Sequence, residues 1–201
     1  MVTIVATDGS AIKYKKSKTG FQCAAGFVAE TYSKKKLVKT RSEIRFLGDA
    51  TNNIAEFTAF IMGLEAVVEE KDSSHVIFIA DSQYMIDCVT KWFYAWKRQV
   101  DTGAVRFPKT ANGTSVKNFG LITKAHNLFY SFPNAKLLKI RSHINPNKFD
   151  VAYNEFLKRN QYECSYELWT KFRELNEKCD ARVQKCSTTT KGEEFTCVEN
   201  D

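Results

Sequence analysis

Two short apolar runs, each closed by a carboxylate, constrain this chain more than any other feature. "TIVATD" ends on Asp8 and "HVIFIAD" ends on Asp81. Compact apolar runs of this length suit strands buried on both faces. Between them, from Asn53 to Glu70, the period changes: Ala55, Ala59, Met62, Ala66 and Val67 recur at helical spacing, and Thr51 or Asn52 can cap the start. Strand, helix, strand implies a crossover and a parallel pairing. Sites in such sheets form outside the carboxyl ends of parallel strands. Asp8 and Asp81 are therefore expected to emerge side by side.

"FQCAAGFVAET" and "SEIRFLG" supply a second and a third strand, joined by short basic connections, which suggests an antiparallel meander. "SQYMIDCVTKWFYAW" follows the fourth strand with helical spacing of Met85, Cys88, Val89 and Trp92. Residues 97–115 carry glycines, a proline and basic side chains and are read as a surface excursion. "VKNFGLITKAHNLFYSF" resumes a helix, "AKLLKIRSHI" is a fifth strand, and "NPNK" is a turn. "FDVAYNEFLKRN" opens a helix that continues, with a break, to about Lys185, before a polar tail. The fold class is α/β: a five-stranded mixed sheet flanked by helices. The domain expectation is 1–160, with 161–201 as a C-terminal helical extension and polar tail. Trp169, Phe172 and Leu175 give that extension an apolar stripe, most simply packed within the same chain.

The formal net charge of +7 favours polyanionic partners. No apolar run approaches the roughly 20 residues that span a bilayer, and "MVTIVATDGS" lacks the basic start of a signal peptide. The six cysteines form no CxxC pair, so a cysteine metal site is not expected; Cys23 and Cys88 are read as buried thiols. These features predict an intracellular, monomeric protein of cytoplasm or nucleus, without a membrane partner, the extension being a potential protein contact.

Asp8, Glu56, Asp81 and Asp150 fall on four separate elements. A strand-ending aspartate often serves only as a turn former or helix cap. Several uncompensated carboxylates side by side repel one another and persist where cations fill the cluster. Mg²⁺ takes oxygen ligands, and two such ions about 4 Å apart can activate water and stabilise a leaving oxygen in phosphodiester cleavage.

At this point the chain resembles ribonuclease H of type 1, from about residue 2 to 158. "ATDGS" looks like that family's opening strand and turn, "TNNIAE" like its TNNRxE helix start, "IADSQYMIDCVTKW" like its TDSQYV segment, and "WFYAWKR…FPKTANGTSVKNFGLI" like its basic handle. The resemblance implies an RNase H-like fold and hydrolysis of the RNA strand of RNA/DNA hybrids by two Mg²⁺ ions, with Mn²⁺ as a substitute, leaving 5′-phosphate and 3′-hydroxyl ends. It makes Asp8, Glu56 and Asp81 three of four metal-binding carboxylates. The fourth normally sits in a pattern like NExADxLA, about ten positions after a mobile histidine. His143 matches the histidine, implying a role in proton transfer or product release. Asp150 follows it by only seven positions and is taken as the fourth acid, with Asn154 one helical turn on as its neighbour or neutral substitute. His75 and His126 are read as structural.

The resemblance also implies substrate contacts. Asn52 and Asn53 are amides that can both donate to and accept from ribose 2′-hydroxyls; Asn52 also suits a plain cap. Thr51 and Asn118 are placed at DNA phosphates, and Ser10 beside the catalytic strand's turn. Trp96, Lys97 and Arg98 meet the DNA backbone, whereas Trp92 is expected in the core. Two other readings remain open: a hybrid-binding module with little cleavage, motivated by Asn154 and the short loop after His143, and a DNA-acting transposase or resolvase core, which "TNNIAE" and the handle argue against.

Overall fold

The computed structural model describes residues 1–69 and 75–188, and the backbone of 199–200. Strands β1 (Val2–Lys13), β2 (Phe21–Ser33) and β3 (Lys36–Asp49) form the expected antiparallel meander, and β4 (His75–Ala80) and β5 (Ala135–Lys139) add in parallel, in the order β5-β4-β1-β2-β3. A two-residue strand, β6 (Glu199–Asn200), extends the sheet at Arg41 and Ser42 of β3. The remaining tail residues and the stretch 70–74, which holds the expected end of the first helix, lie outside the described residues, as does Cys197. Cys23, Cys88, Cys164, Cys179 and Cys186 are free thiols. No described helix is long and apolar enough to cross a membrane.

Both faces of the sheet are covered, which is why its central strands read as unbroken apolar runs. One face sends Val5, Phe27 and Phe78 into α1 (Asn52–Glu69) and α4 (Phe119–Tyr130). The other sends Ile4, Ala6, Val28 and Ile79 against α5 (Phe149–Asn160) and α6 (Tyr166–Thr188). Alternation along each strand sorts neighbours to opposite layers.

The helix of the expected extension packs on the sheet. Trp169, Phe172, Leu175, Cys179 and Val183 recur every three or four residues along α6, and all are buried against the sheet. Their backbone approach is close: a Cβ on Gly26 of β2 would stand 2.8 Å from the Glu43 carbonyl oxygen and 3.1 Å from Val183 Cγ2. The apolar stripe foreseen in the extension is thus one wall of the domain core. The shorter α5 is a separate element, tied to the open edge of β5 by Asn160. The Asn160 side chain accepts from Lys139 N at 2.7 Å and donates to Lys139 O at 2.9 Å, standing in for a missing strand.

After β4, the helix is built in three pieces: α2 (Gln83–Asp87), a π-helical turn (Cys88–Trp92) and α3 (Phe93–Asp101). The wide turn inserts a residue, so the buried line passes from Val89 to Phe93 and Trp96. Trp96, expected at DNA, is 7% exposed, and Trp92, expected in the core, is 39% exposed. Inside the wide turn, His126 Nδ1 lies 2.8 Å from the Val89 carbonyl while its ring stacks on Phe93 at 3.8 Å. His126 is structural, as its sequence context suggested.

Because α6 supplies core, Phe172→Ala should destabilise the protein by about 3–5 kcal/mol in denaturant unfolding. A chain cut after residue 160 should fail to give a cooperative transition. A cut chain with an unchanged unfolding midpoint would contradict the packing described.

Candidate active site

The parallel pairing of β1 and β4 ends at Thr7 and Ala80, and the next residue of each segment is an aspartate. Asp81 leaves the strand as foreseen. Asp8 does not: β1 runs on to Lys13, paired with β2, so Asp8 sits within a strand, opposite Gly26. Helix α1 brings in Glu56 from its second turn. One carboxylate oxygen from each of Asp8, Glu56 and Asp81 lies within 4.8 Å of the others, a group able to hold a metal ion. Asp8 is 5% and Glu56 6% exposed.

Burying like charges together raises the cost of ionising them. Burial, then Asp81 and Asp180, push the Asp8 carboxyl up to about 8, against a lowering hydrogen bond from the Gly9 backbone. Burial, then Asp8 and Asp81, hold Glu56 well above the ordinary carboxylate range, opposed by the Gly9 backbone and the Lys139 ammonium. Oxygen-only donors crowded this closely match the preference of hard divalent cations such as Mg²⁺ or Mn²⁺.

A second layer fixes the acids. Ser142 donates to Asp81 Oδ2, and Lys139 Nζ donates to the Asp81 carbonyl and, at 2.9 Å, to the Ile140 carbonyl. Asn176 of α6 is buried and donates to Ser142 Oγ at 3.4 Å, while its Oδ1 has no partner among the described residues. Asp180, one turn further along α6, hydrogen-bonds with Asp8. Its Oδ2 lies 3.4 Å from His143 Nε2.

The model of the RNase H family matches residues 1–157. The chain belongs to the RNase H family. It is 38% identical over 86 residues to the ribonuclease H of Maricaulis maris, spanning 40% of this chain and 52% of that one; it thus spans about half the length of this curated relative. Among solved structures, LC9-RNase H1, a type 1 RNase H with the type 2 active-site motif, has a TM-score of 0.57 at 18% identity, covering 87% of this chain and 84% of that chain. The foamy viral protease-reverse transcriptase in complex with RNA/DNA hybrid has a TM-score of 0.55 at 15% identity, covering 80% of this chain and 20% of that one. These two likenesses show the fold.

Within this RNase H fold, the fourth acid beside the cluster is Asp180, not Asp150. Asp150 is exposed at the start of α5, and Asn154 donates to its carbonyl at 2.9 Å, a bond internal to the helix. Helix α5 is interposed between His143 and α6, so the first aspartate after the histidine stands on a different helix from the one beside Asp8. The signal was present in the sequence: "NEKCDA" places Asn176, Glu177 and Asp180 at the NExxD spacing.

The other expected residues divide. His143 is at the site, with its side chain 71% exposed and its backbone at φ 51°. Thr51, Asn52 and Asn53 stand exposed at the start of α1, Thr51 Oγ1 accepting from Ile54 N at 3.4 Å as a cap. Arg98 is exposed, and Lys97 pairs with Asp101 one turn away. Asn118 caps α4 at φ 59°. Ser10 turns to α6, where its hydroxyl meets Ser187 Oγ at 3.0 Å.

The metal-free site has a pH signature. Asp8 holds its proton to about 8 when folded, far above an unfolded aspartate. The folded state therefore binds the extra proton between those values; that stabilisation is complete below about pH 4 and lost as pH rises through about 8. In EDTA the melting temperature should fall from about pH 5 to about pH 8, and Asp8→Asn should flatten the fall. A rise over that interval in the unmodified protein would refute the assignment.

Proposed function

We propose that this chain is a ribonuclease H that hydrolyses the RNA strand of RNA/DNA hybrids. The observation that carries the reading is the convergence of Asp8, Glu56 and Asp81 beyond the ends of two parallel strands, in a chain of the RNase H family. Asp180 completes a set of four carboxylates. Divalent cations, with Mg²⁺ as the natural choice and two as the expected number, supply an activated water and charge neutralisation at the phosphate when bound. The products are then a 5′-phosphate and a 3′-hydroxyl.

The chain's own groups do the rest. Asp8, Glu56, Asp81 and Asp180 would hold the cations, while Ser142 and Lys139 keep Asp81 in place. His143 is exposed and adjoins Asp180, and an imidazole there can carry a proton to the leaving oxygen. Asn52 and Asn53 face solvent one turn before Glu56, where they can read ribose hydroxyls. Arg98 and Lys97 of the handle take the DNA backbone, positioning the duplex without reading its sequence. The alternative of a binding module was motivated by Asn154 and the short loop after His143; the position of Asp180 beside Asp8 supports the cleaving reading over it.

Cleavage of a labelled hybrid in Mg²⁺ tests this. Asp180→Asn should lower the rate by on the order of 10²-fold or more, and Asp150→Asn should stay within about twofold of the unmodified enzyme. The reverse ranking would restore Asp150. Equal cutting of duplex DNA, or no cutting at any divalent concentration, would reject the function.

A further inference from the structure

Helix α5 carries none of the four clustered acids; it packs beside β5, whose Lys139 donates to the Asp81 carbonyl. Between it and the end of β5 lies a cavity of about 200 Å³. Lys139, Arg141 and Arg159 contribute its positive charge, Glu155 its negative charge, and Phe156 and Trp169 an apolar wall. Three cations therefore face one carboxylate. Glu155 is committed to Arg141 at 3.7 Å, and the Lys139 ammonium is committed to the Asp81 and Ile140 carbonyls. Arg159 is exposed and has neither an ion pair nor a hydrogen bond among the described residues. Its charge is near enough to act on Lys139, which reaches the carboxylate cluster. The cavity is thus a positively charged recess joined to the active centre through a single side chain.

An uncompensated guanidinium in a recess, with a second one held by a long ion pair beside it, calls for an anion, and the planar fork of arginine suits phosphate oxygens. The position selects which phosphate. Helices α1, α3 and α4, with Asn52, Arg98 and Asn118, belong to one face of the sheet, whereas α5 belongs to the other. A duplex whose uncut strand rests on the handle side passes its cut strand over the carboxylates towards α5. The apolar wall then suits the carbon face of a ribose.

We propose that Arg141 and Arg159 form a subsite for a backbone phosphate of the cleaved strand, next to the scissile one. This subsite rests on the nuclease reading above. It adds a contact that the acids, the amides of α1 and the handle do not provide, and it gives the interposed helix a role in holding the strand.

Hybrid binding measured by fluorescence anisotropy without divalent metal tests it. Arg159→Ala should weaken binding about fivefold to tenfold near 0.1 M salt and make the slope of log K against log salt shallower by about 0.7–0.9. Arg159→Lys should keep the slope. Lys171→Ala removes a charge near Tyr32 at the far end of β1 and should leave both values unchanged. A single neutral methylphosphonate linkage, on 2′-O-methyl ribose for stability, is then moved along the RNA strand. At one position it should weaken the unmodified protein yet cost Arg159→Ala nothing further, whereas linkages in the DNA strand should affect both proteins alike. If the unmodified protein binds and cuts hybrids but Arg159→Ala shows the same slope and linkage profile, the subsite is overturned and the nuclease reading stands. If the unmodified protein neither binds nor cuts hybrids, both fall.

Discussion

Helix α1 brings Glu56 to Asp8 because nothing projects from residue 9. A Cβ on Gly9 would lie 2.5 Å from the Ala55 carbonyl carbon and 2.9 Å from Ala55 Cβ, inside the space that real atoms occupy. The first turn of the helix therefore rests directly on the strand that carries Asp8, and further along the same helix Gly63 lies close to Val5 and Thr7. The same Gly9 backbone hydrogen-bonds both Asp8 and Glu56. This close approach is a feature of packing, and it is also what forces two carboxylates into one buried volume. The core of the domain and the electrostatic strain of the site have one cause.

That strain is partly offset by neighbouring groups. Lys139 comes from the end of β5, Ser142 and His143 from the loop beyond, and Asn176 from α6. Asp180 adds negative charge, so its effect on Asp8 is unfavourable until a dication arrives. The arrangement is consistent with a site built for its loaded state: the empty cluster costs stability, and a bound cation recovers it by mass action. The unpartnered Oδ1 of Asn176 fits the same account, being a buried acceptor close to where positive charge is to be held.

Much of this was legible before any coordinates. Five strands, their parallel and antiparallel pairing and α1 follow from periodicity and from where the apolar runs stop, and the resemblance to ribonuclease H singles out the three central acids. The failures have physical causes. Trp92 and Trp96 exchanged places because a π-helical turn inserts a residue, and regular helical spacing cannot register that. Ser10 lies in a strand that continues past its catalytic residue, so its hydroxyl meets α6 instead of a turn. Asp180 is not among the residues that the histidine's spacing points to: counting on from His143 reaches only Asp150 and Asn154. Chain distance is a poor guide where a helix is interposed, and "NEKCDA" carried the better information.

The position of Asp180 ties function to folding. It lies between Cys179, which is fully enclosed and whose Sγ is 3.5 Å from the Gly26 carbonyl, and the buried Val183. Asp180 reaches Asp8 only when α6 is packed along β1 and β2, so loss of the terminal helix removes a core wall and a carboxylate at once. Helix α5, by contrast, anchors to a sheet edge through Asn160 and leaves its outer residues exposed. An element attached in this way can vary in length and charge without disturbing the acids.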